Sequence, residues 1–120
     1  MTDQRLLKQY RLRRQVDFDR VYERSAHAAD EFLVVNACPN GLAYSRLGLS
    51  VSRKVGGAVV RNRWKRLMRE AFRLCRQQLP SGVDFVLRPR RGAKPDFHAI
   101  KQSLPRLAKR VTRQLRRDEA

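Results

Sequence analysis

The sequence predicts an α+β fold in which a sheet packs against helices, and two features carry this prediction. An amphipathic segment over about 58–78 has its apolar residues at helical spacing. Strand-like runs at 46–52 and 83–88 flank that segment. A strand–helix–strand order places the two strands parallel in one sheet, so the helix is the crossover of a βαβ unit.

Length and composition set the domain organisation. The 120 residues, of which 42% are hydrophobic, are enough for one compact domain with one core. We therefore expect a single domain over 1–120, with flexible basic tails at about 1–10 and 113–120. The sequence shows no internal repeat and no low-complexity segment that would divide it.

The first predicted element is a short helix over 15–24. Phe18, Val21 and Tyr22 recur there at helical spacing, and acidic residues near the start suit a helix N-terminus. The segment that follows, 25–30, is predicted to be a connection with room for a short edge strand.

Two strands are predicted before the crossover helix. The run at 31–38 is rich in β-branched residues, and 46–52 alternates apolar with small or polar residues at period two. Pro39-Asn40-Gly41 between them is a strong turn signal. We therefore expect the two strands to pair as an antiparallel hairpin.

The elements after the crossover helix end in a long helix. Pro80-Ser81-Gly82 stops the crossover helix, and the strand at 83–88 leads into a basic loop at 88–92. A last helix begins at about 96, and Pro105 is expected to kink or divide it. Its apolar side comprises Ile100, Leu104, Leu107, Val111 and Leu115.

The charge balance indicates a polyanionic partner. Lys and Arg number 28 against 11 Asp and Glu, which gives a formal net charge of +17. So high a charge on a short chain favours binding to a phosphate-rich molecule. The alternative is a generic basic protein whose charges are solvated. A membrane-surface role is disfavoured because no basic amphipathic segment carries a large exposed apolar face.

The sequence offers no residues for catalysis or metal binding. Cys38 and Cys75 lie among apolar residues, as buried thiols do in a reducing compartment, and two scattered histidines are too few for a metal site. No nucleophile–histidine arrangement and no Walker-type loop is present. Without a long apolar run or a signal-peptide core, the protein is expected in the cytoplasm.

The crossover helix separates into an apolar side and a basic side at about 100° per residue. The predicted core positions are Val60, Trp64, Leu67, Met68, Ala71, Leu74 and Cys75. Trp64 is therefore interpreted as core rather than as a base-stacking platform. The basic side comprises Arg61, Lys65, Arg66, Arg69, Arg73 and Arg76. Asn62 lies within that side, and Glu70 is the only acid of the segment.

This helix favours an RNA partner over DNA. A helix-turn-helix DNA reader needs a second helix joined to it by a short turn, whereas here strands precede and follow. Asn62 can both donate and accept hydrogen bonds, so it can contact a base edge or a 2′-hydroxyl. A structural RNA-packing protein, such as a ribosomal protein, and a sequence-specific DNA binder remain as alternatives.

The stretch 47–72 resembles the signature of the bacterial ribonuclease P protein family. Leu47-Gly48-Leu49-Ser50-Val51-Ser52-Arg53-Lys54, the glycine pair Gly56-Gly57 and Arg61-Asn62-Arg63 carry the resemblance. It extends from about Leu12 to Leu107 and implies a fold like domain 2 of ribosomal protein S5. That fold has a four-stranded sheet and a left-handed crossover around the Arg-Asn-Arg helix, a hand that general rules do not predict.

The resemblance also implies a function. The family's protein is the small subunit of a ribonucleoprotein that removes the 5′ leader from precursor tRNA, while the RNA subunit and its Mg²⁺ ions perform the hydrolysis. The implied partners are the catalytic RNA subunit and precursor tRNA, with no membrane and no obligate protein partner. The residues that match the RNA-docking surface are Arg61, Asn62, Arg63, Lys65, Arg66 and Arg69.

A second surface implied by the family is a cleft for the single-stranded leader. Phe18 and Tyr22 match its aromatic positions, and Tyr22 stands where phenylalanine is frequent. Aromatic stacking combined with cations that follow the backbone suits sequence-tolerant binding of a single strand. The cations expected to line this cleft are Arg14, Arg53, Lys54, Arg88 and Arg90.

Overall fold

A computed structural model of the chain, which describes residues 6–119, contains a four-stranded sheet and three helices. The strand order is β1-β2-β4-β3; β1–β2 and β2–β4 are antiparallel, and β3–β4 is parallel. The α+β fold and the parallel pair around the crossover helix are therefore confirmed. The elements are α1 (Gln15–Arg24), β1 (His27–Ala29), β2 (Leu33–Pro39), β3 (Arg46–Leu49), α2 (Ala58–Cys75), β4 (Val83–Pro89) and α3 (Phe97–Glu119).

The expected hairpin between β2 and β3 is wrong, because β4 lies between them. The turn sequence docks onto the start of β4 instead of closing a hairpin. Asn40 donates its side-chain amide to Asp84 Oδ1 at 2.9 Å and to the Tyr44 carbonyl at 3.1 Å. Its own N–H bonds to the Gly82 carbonyl at 3.0 Å. The loop thus crosses the end of β4 and delivers β3 to its far side.

The two faces of the sheet carry different layers. On one face, Leu33, Val35, Phe85 and Leu87 belong to the main core, which α2 and α3 complete. On the other face, Val86 and Cys38 pack against Leu12 and Val21, with Phe18 at the margin, so α1 covers this side. The alternation of side chains along β2 and β4 produces the two faces.

The buried side of α2 is rotated slightly from the predicted one. Trp64, Met68, Ala71 and Cys75 are buried as expected, but Leu74 is 45% exposed and Phe72 is fully buried in its place. Val60 is also exposed, and Leu67 is half-buried. Phe72 follows Met68 by four residues, so it occupies the same stripe, and packing against α3 and the sheet centres the core there.

The C-terminal segment is helical rather than a tail. Residues 113–119 continue α3, Leu115 is buried, and Gln114 bonds to both backbone groups of His27 in β1. The apolar period of α3 continues through these residues, which explains why the helix does not stop earlier. Pro105 lies inside α3 without dividing it.

The N-terminal segment is also partly structured. Leu6 is buried in the main core, and Lys8–Tyr10 form a 3₁₀ turn. The first part of the expected N-terminal tail, 1–5, and residue 120 lie outside the described residues.

Candidate nucleic-acid interface

The basic side of α2 combines exposed residues with residues that are partly covered. Asn62, Arg63 and Arg66 are exposed, whereas Arg61, Lys65 and Arg69 are partly covered at the edge of the core. The single acid of the segment, Glu70, accepts two hydrogen bonds from Arg73 at 3.1 and 2.5 Å. Within residues 6–119, no carboxylate forms an ion pair with the basic residues predicted to dock RNA.

Arg61 occupies a distinctive place on this helix. At 100° per residue it falls between Met68 and Phe72, which are both buried. Its Nε is buried and has no hydrogen-bond partner in the described chain. The remaining donors of the guanidinium group are of the kind that forms bidentate contacts with a phosphate.

The N-terminal segment extends the basic side of α2, and the sequence pattern did not reveal this. Arg11 forms a bridge with Leu47 of β3, which brings it beside α2. Burial, and secondarily the charge of Arg11, lowers the pKa of Arg69 from its ordinary value. Arg11 and Arg69 thus lie close enough for their charges to interact. The sequence of this segment has only scattered apolar residues, so its pattern does not predict where it packs.

Tyr10 is fixed between two partners at the same margin. The Arg76 guanidinium lies 3.9 Å from the centre of its ring, and the Tyr44 ring meets it edge-on at 5.3 Å. Cation–π and edge-to-face contacts of this kind hold the segment against α2 and β3. The end of the basic side is therefore ordered by aromatic packing.

On the opposite face of the sheet, Phe18 lies directly against β3. A Cβ added at Gly48 would stand 2.8 and 2.9 Å from Phe18 ring carbons and 3.0 Å from Leu12 Cδ1. Only a glycine permits this approach. Phe18 is half-buried, so one part of its ring anchors α1 and another remains open to solvent.

Tyr22 lies one turn further along α1 and meets Arg88 of β4. The Tyr22 side chain is 37% exposed, and the Arg88 guanidinium is 5.8 Å from its ring centre. Arg88 Nη2 donates to Asn36 Oδ1 at 3.1 Å, and Asn36 is buried. An aromatic ring beside a positioned cation is the pairing that single-strand binding uses.

Lys54 and Arg90 line one groove between the 3₁₀ turn that follows β3 and the loop that follows β4. Its walls also include Ser52, Pro89 and Arg91. Arg53 is exposed in the same 3₁₀ turn as Lys54, Arg53–Val55. The structure thus brings together cations that are far apart in sequence.

Arg14 is placed apart from these residues. It precedes the first turn of α1, at the opposite end from Tyr22, and its Nε lies 3.4 Å from Asp17 Oδ2. The Arg14 side chain is 76% exposed. It can reach a strand that continues past Phe18, but it has no contact with the other cations predicted to line the cleft.

A buried ion-pair network holds α1 on the sheet. Arg46 of β3 donates to both carboxylate oxygens of Asp84 at 2.8 and 2.7 Å, and it lies 3.7 Å from Asp17 of α1. The hydrogen bond to Asp84 raises the pKa of Arg46 above its ordinary value. Asp17 also accepts from Arg20 at 2.5 Å. The sequence did not identify this network, because its members come from three separate elements, α1, β3 and β4.

The described residues hold neither a metal-binding cluster nor a membrane-spanning helix. Residues 6–119 contain no group of three His, Cys, Asp or Glu side chains arranged to hold a metal ion. Burial, together with the nearby Asp84 charge, raises the pKa of the Cys38 thiol from 9.0 to about 11. None of the helices in the described chain is both long and apolar enough to cross a membrane.

Comparison with known proteins gives one family throughout. The family model for Ribonuclease P matches residues 6–112. The chain is 43% identical over 102 residues to the ribonuclease P protein component of Caldanaerobacter subterraneus subsp. tengcongensis, covering 84% of this chain and 88% of the relative. It is 43% identical over 117 residues to that of Desulfovibrio desulfuricans, covering 92% and 88%.

Solved structures agree with the sequence comparisons. The RNase P protein from Thermotoga maritima superposes with a TM-score of 0.75 at 37% identity, covering 83% of this chain and 96% of that one. The RNase P protein of Staphylococcus aureus gives a TM-score of 0.73 at 35% identity, covering 83% and 93%.

Proposed function

Because the chain belongs to the ribonuclease P protein family, we propose that its two basic surfaces bind different RNAs of that enzyme. As a ribonuclease P protein component, the chain is part of a tRNA-processing endoribonuclease and a partner of its RNA subunit. In the proposal, α2 docks the catalytic RNA, and the cleft beside α1 holds the 5′ leader of precursor tRNA.

One observation carries the proposal: the two surfaces lie on opposite faces of the sheet. The basic side of α2 belongs to the layer formed with α3, whereas Phe18, Tyr22 and Arg88 lie on the α1 side. Two ligands can therefore be bound at the same time without competing for the same residues. A protein that only packed against one RNA would not need the second surface.

The docking surface suits a folded RNA. Arg61, Lys65 and Arg69 run along one edge of α2, and Arg66 lies opposite the buried residues. Arginine forks can bind phosphates in two-point contacts, whereas the Asn62 amide can contact a base edge or a 2′-hydroxyl. We assign Arg61, Asn62, Arg63, Lys65, Arg66 and Arg69 to this surface.

The leader cleft suits a single strand of variable sequence. Phe18 and Tyr22 offer ring faces on which any base can stack, and Arg88 is held beside Tyr22. Lys54 and Arg90 continue the positive lining at the groove, with Arg53 next to them. Arg14 would contact only a strand that extends beyond the start of α1.

The proposal gives the chemistry to the RNA subunit. Phosphodiester hydrolysis would use Mg²⁺ bound mainly by the RNA, and this chain would supply no catalytic residue. Its cations would reduce the repulsion between catalytic RNA and substrate, which favours Mg²⁺ binding at a lower concentration of the ion. We place this activity in the cytoplasm, without a membrane or an obligate protein partner.

Reconstitution with the catalytic RNA at low Mg²⁺ tests the proposal. Adding the chain should increase the rate of leader removal, and the proposal fails if it does not. Arg61→Ala combined with Arg66→Ala should weaken binding to the catalytic RNA. Phe18→Ala should mainly reduce the preference for precursor over mature tRNA. Identical effects of both changes on leader affinity would contradict the assignment of two surfaces.

A further inference from the structure

A row of arginines lies along the outer side of α3, and neither proposed RNA surface includes it. Arg106, Arg110, Arg113 and Arg117 fall within an arc of about 60° at 100° per residue. All four are exposed, and the buried residues of α3 lie on the opposite side of the helix. We call these four residues the α3 arginine row; Lys109 and Arg116 border it.

The protein itself neutralises little of this charge. Between Arg106 and Arg117 the helix contains no acidic residue. Arg106 pairs with Asp30 at 2.8 Å, and Arg110 Nη1 lies 3.5 Å from the Ala29 carbonyl oxygen. No carboxylate of residues 6–119 pairs with Arg110, Arg113 or Arg117. The positive charges of the row therefore repel one another, and an anion bound between them would offset this repulsion.

The row also has a shape that accepts a ligand. A shallow groove runs between the side chains of Arg110, Arg113, Arg116 and Arg117. Arginines seven residues apart, such as Arg106 and Arg113, are separated by about 10 Å along the axis at 1.5 Å per residue. The side chains that line the groove are all arginines.

The helix that carries the row is firmly held. Its inner side is buried from Ile100 to Leu115, and Gln114 accepts from the His27 N–H at 3.2 Å and donates to the His27 carbonyl at 2.7 Å. Arg24 lies 3.8 Å from Glu119 near the end of the helix. A row of cations on a firmly held helix matches a regular phosphate backbone better than it matches a flexible single strand.

We propose that the α3 arginine row binds the phosphate backbone of a double-helical part of the catalytic RNA. The inference rests on the proposed function, because it takes that RNA as the ligand of this chain. The choice of RNA follows from the layers: α3 packs beside α2 on one face of the sheet, whereas the leader cleft lies on the other face. The row lies toward β1, where Arg106 and Arg110 contact Asp30 and Ala29, whereas the basic side of α2 lies toward β3 at the other edge of the sheet. A folded RNA that binds both must therefore span the layer formed by α2 and α3.

The test compares variants of the full-length chain in binding to the catalytic RNA without substrate, over a range of salt concentrations. Arg110→Gln with Arg113→Gln removes two neighbouring charges from the row. Lys101→Gln removes one exposed charge from α3 outside the row. Arg110→Lys with Arg113→Lys keeps the charge but not the planar fork.

Loss of two phosphate contacts should lower the log–log salt slope by about 1.5, at roughly 0.7–0.9 per phosphate. It should weaken binding on the order of tenfold at physiological salt. Lys101→Gln should leave both quantities unchanged, and the lysine variant should fall between the wild type and the glutamine variant. Urea unfolding of each variant verifies that the fold is intact.

Three results would overturn the inference: an unchanged affinity and salt slope in the glutamine variant, an equal loss in Lys101→Gln, or a loss seen only with precursor tRNA. In each case the wild-type chain can still stimulate leader removal. Failure of the arginine row is therefore distinguishable from failure of the proposed function, in which the wild-type chain would not stimulate cleavage at all.

Discussion

Gly48→Ala tests whether Phe18 is positioned by its contact with β3. The backbone at Gly48 does not require glycine for its φ angle, since its conformation lies outside the left-handed region. The new methyl group would instead stand 2.8 Å from the Phe18 ring and 3.0 Å from Leu12. Distances this short cannot persist, so either the ring or the strand must move.

The expected free-energy change combines two opposing effects. Replacing glycine by alanine inside a strand is ordinarily favourable by about 0.5–1 kcal/mol, because less backbone entropy is lost on folding. Forcing an extra carbon into a packed contact costs about 1–3 kcal/mol. If the ring stays in place, we expect a net destabilisation of about 0.5–2 kcal/mol. If the ring moves outward, stability changes less and leader binding falls to the level of Phe18→Ala.

A double-mutant cycle separates these effects. Urea unfolding gives the free energy of unfolding for the wild type, Gly48→Ala, Phe18→Ala and the double variant, compared at constant m-value. With the ring removed, Gly48→Ala should be close to neutral, so the coupling energy between the two positions should be about 1 kcal/mol or more. The affinities for precursor and mature tRNA are measured on the same four proteins in complex with the catalytic RNA. A loss of leader binding in Gly48→Ala would indicate that the Phe18 ring has moved outward.

The proposed positioning of Phe18 by β3 would be refuted if Gly48→Ala left both stability and leader discrimination as in the wild type. It would also be refuted if the alanine cost as much without the Phe18 ring as with it. The first result would show that the ring does not rest on β3. The second would show that another contact, such as that with Leu12, causes the destabilisation.

Three further predictions concern the same face of the sheet. Asp84→Asn leaves Arg46 without its buried partner and should lower the free energy of unfolding, measured by urea unfolding, by about 2–4 kcal/mol. The control Asp19→Asn, on the exposed side of α1, should change it by less than about 0.5 kcal/mol. Equal effects would contradict the role of the network. In filter binding, Tyr22→Phe should keep the affinity for the leader, whereas Tyr22→Leu should weaken the binding free energy by about 1–3 kcal/mol. A loss of affinity in the phenylalanine variant would indicate that the hydroxyl, and not stacking, binds the leader. Folding raises the pKa of the Cys38 thiol from 9.0 to about 11, so its contribution to stability should fall as pH rises from about 9 to 11. Alkylation of Cys38 at pH 8.5 should be on the order of a hundredfold slower in the native protein than in urea. Equal rates would show that the thiol is not protected.

Local patterns were sufficient for the individual elements. The helix at Gln15–Arg24 and the start of α2 at Ala58 coincide with the predicted bounds, because apolar period and flanking glycines are local signals. The pairing of strands was not local. The turn at Pro39-Asn40-Gly41 predicted a hairpin, but the Asn40 amide bonds to Asp84, 44 residues further along the chain. A sequence pattern does not record such a distant partner.

The candidate site shows the same division. Periodicity placed Asn62 and Arg66 on the exposed side of α2, where the structure has them. The approach of Arg11 to Arg69 and the packing of Tyr10 under Arg76 depend on where the N-terminal segment crosses β3. Neither could be predicted from spacing, because nothing in the sequence of that segment specifies which strand it joins.

The connection between β3 and α2 links the two proposed RNA surfaces. Lys54 lines the groove that we propose to continue the leader cleft, and Arg61 begins the proposed docking surface only seven residues later. Between them, Gly56 adopts a φ of +155°, where a side chain would be strained, and an added Cβ would stand 3.1 Å from Val60. This glycine lets the chain turn sharply from the 3₁₀ turn into α2. Lys54 and Arg61 are therefore separated by a tight turn whose backbone conformation requires glycine.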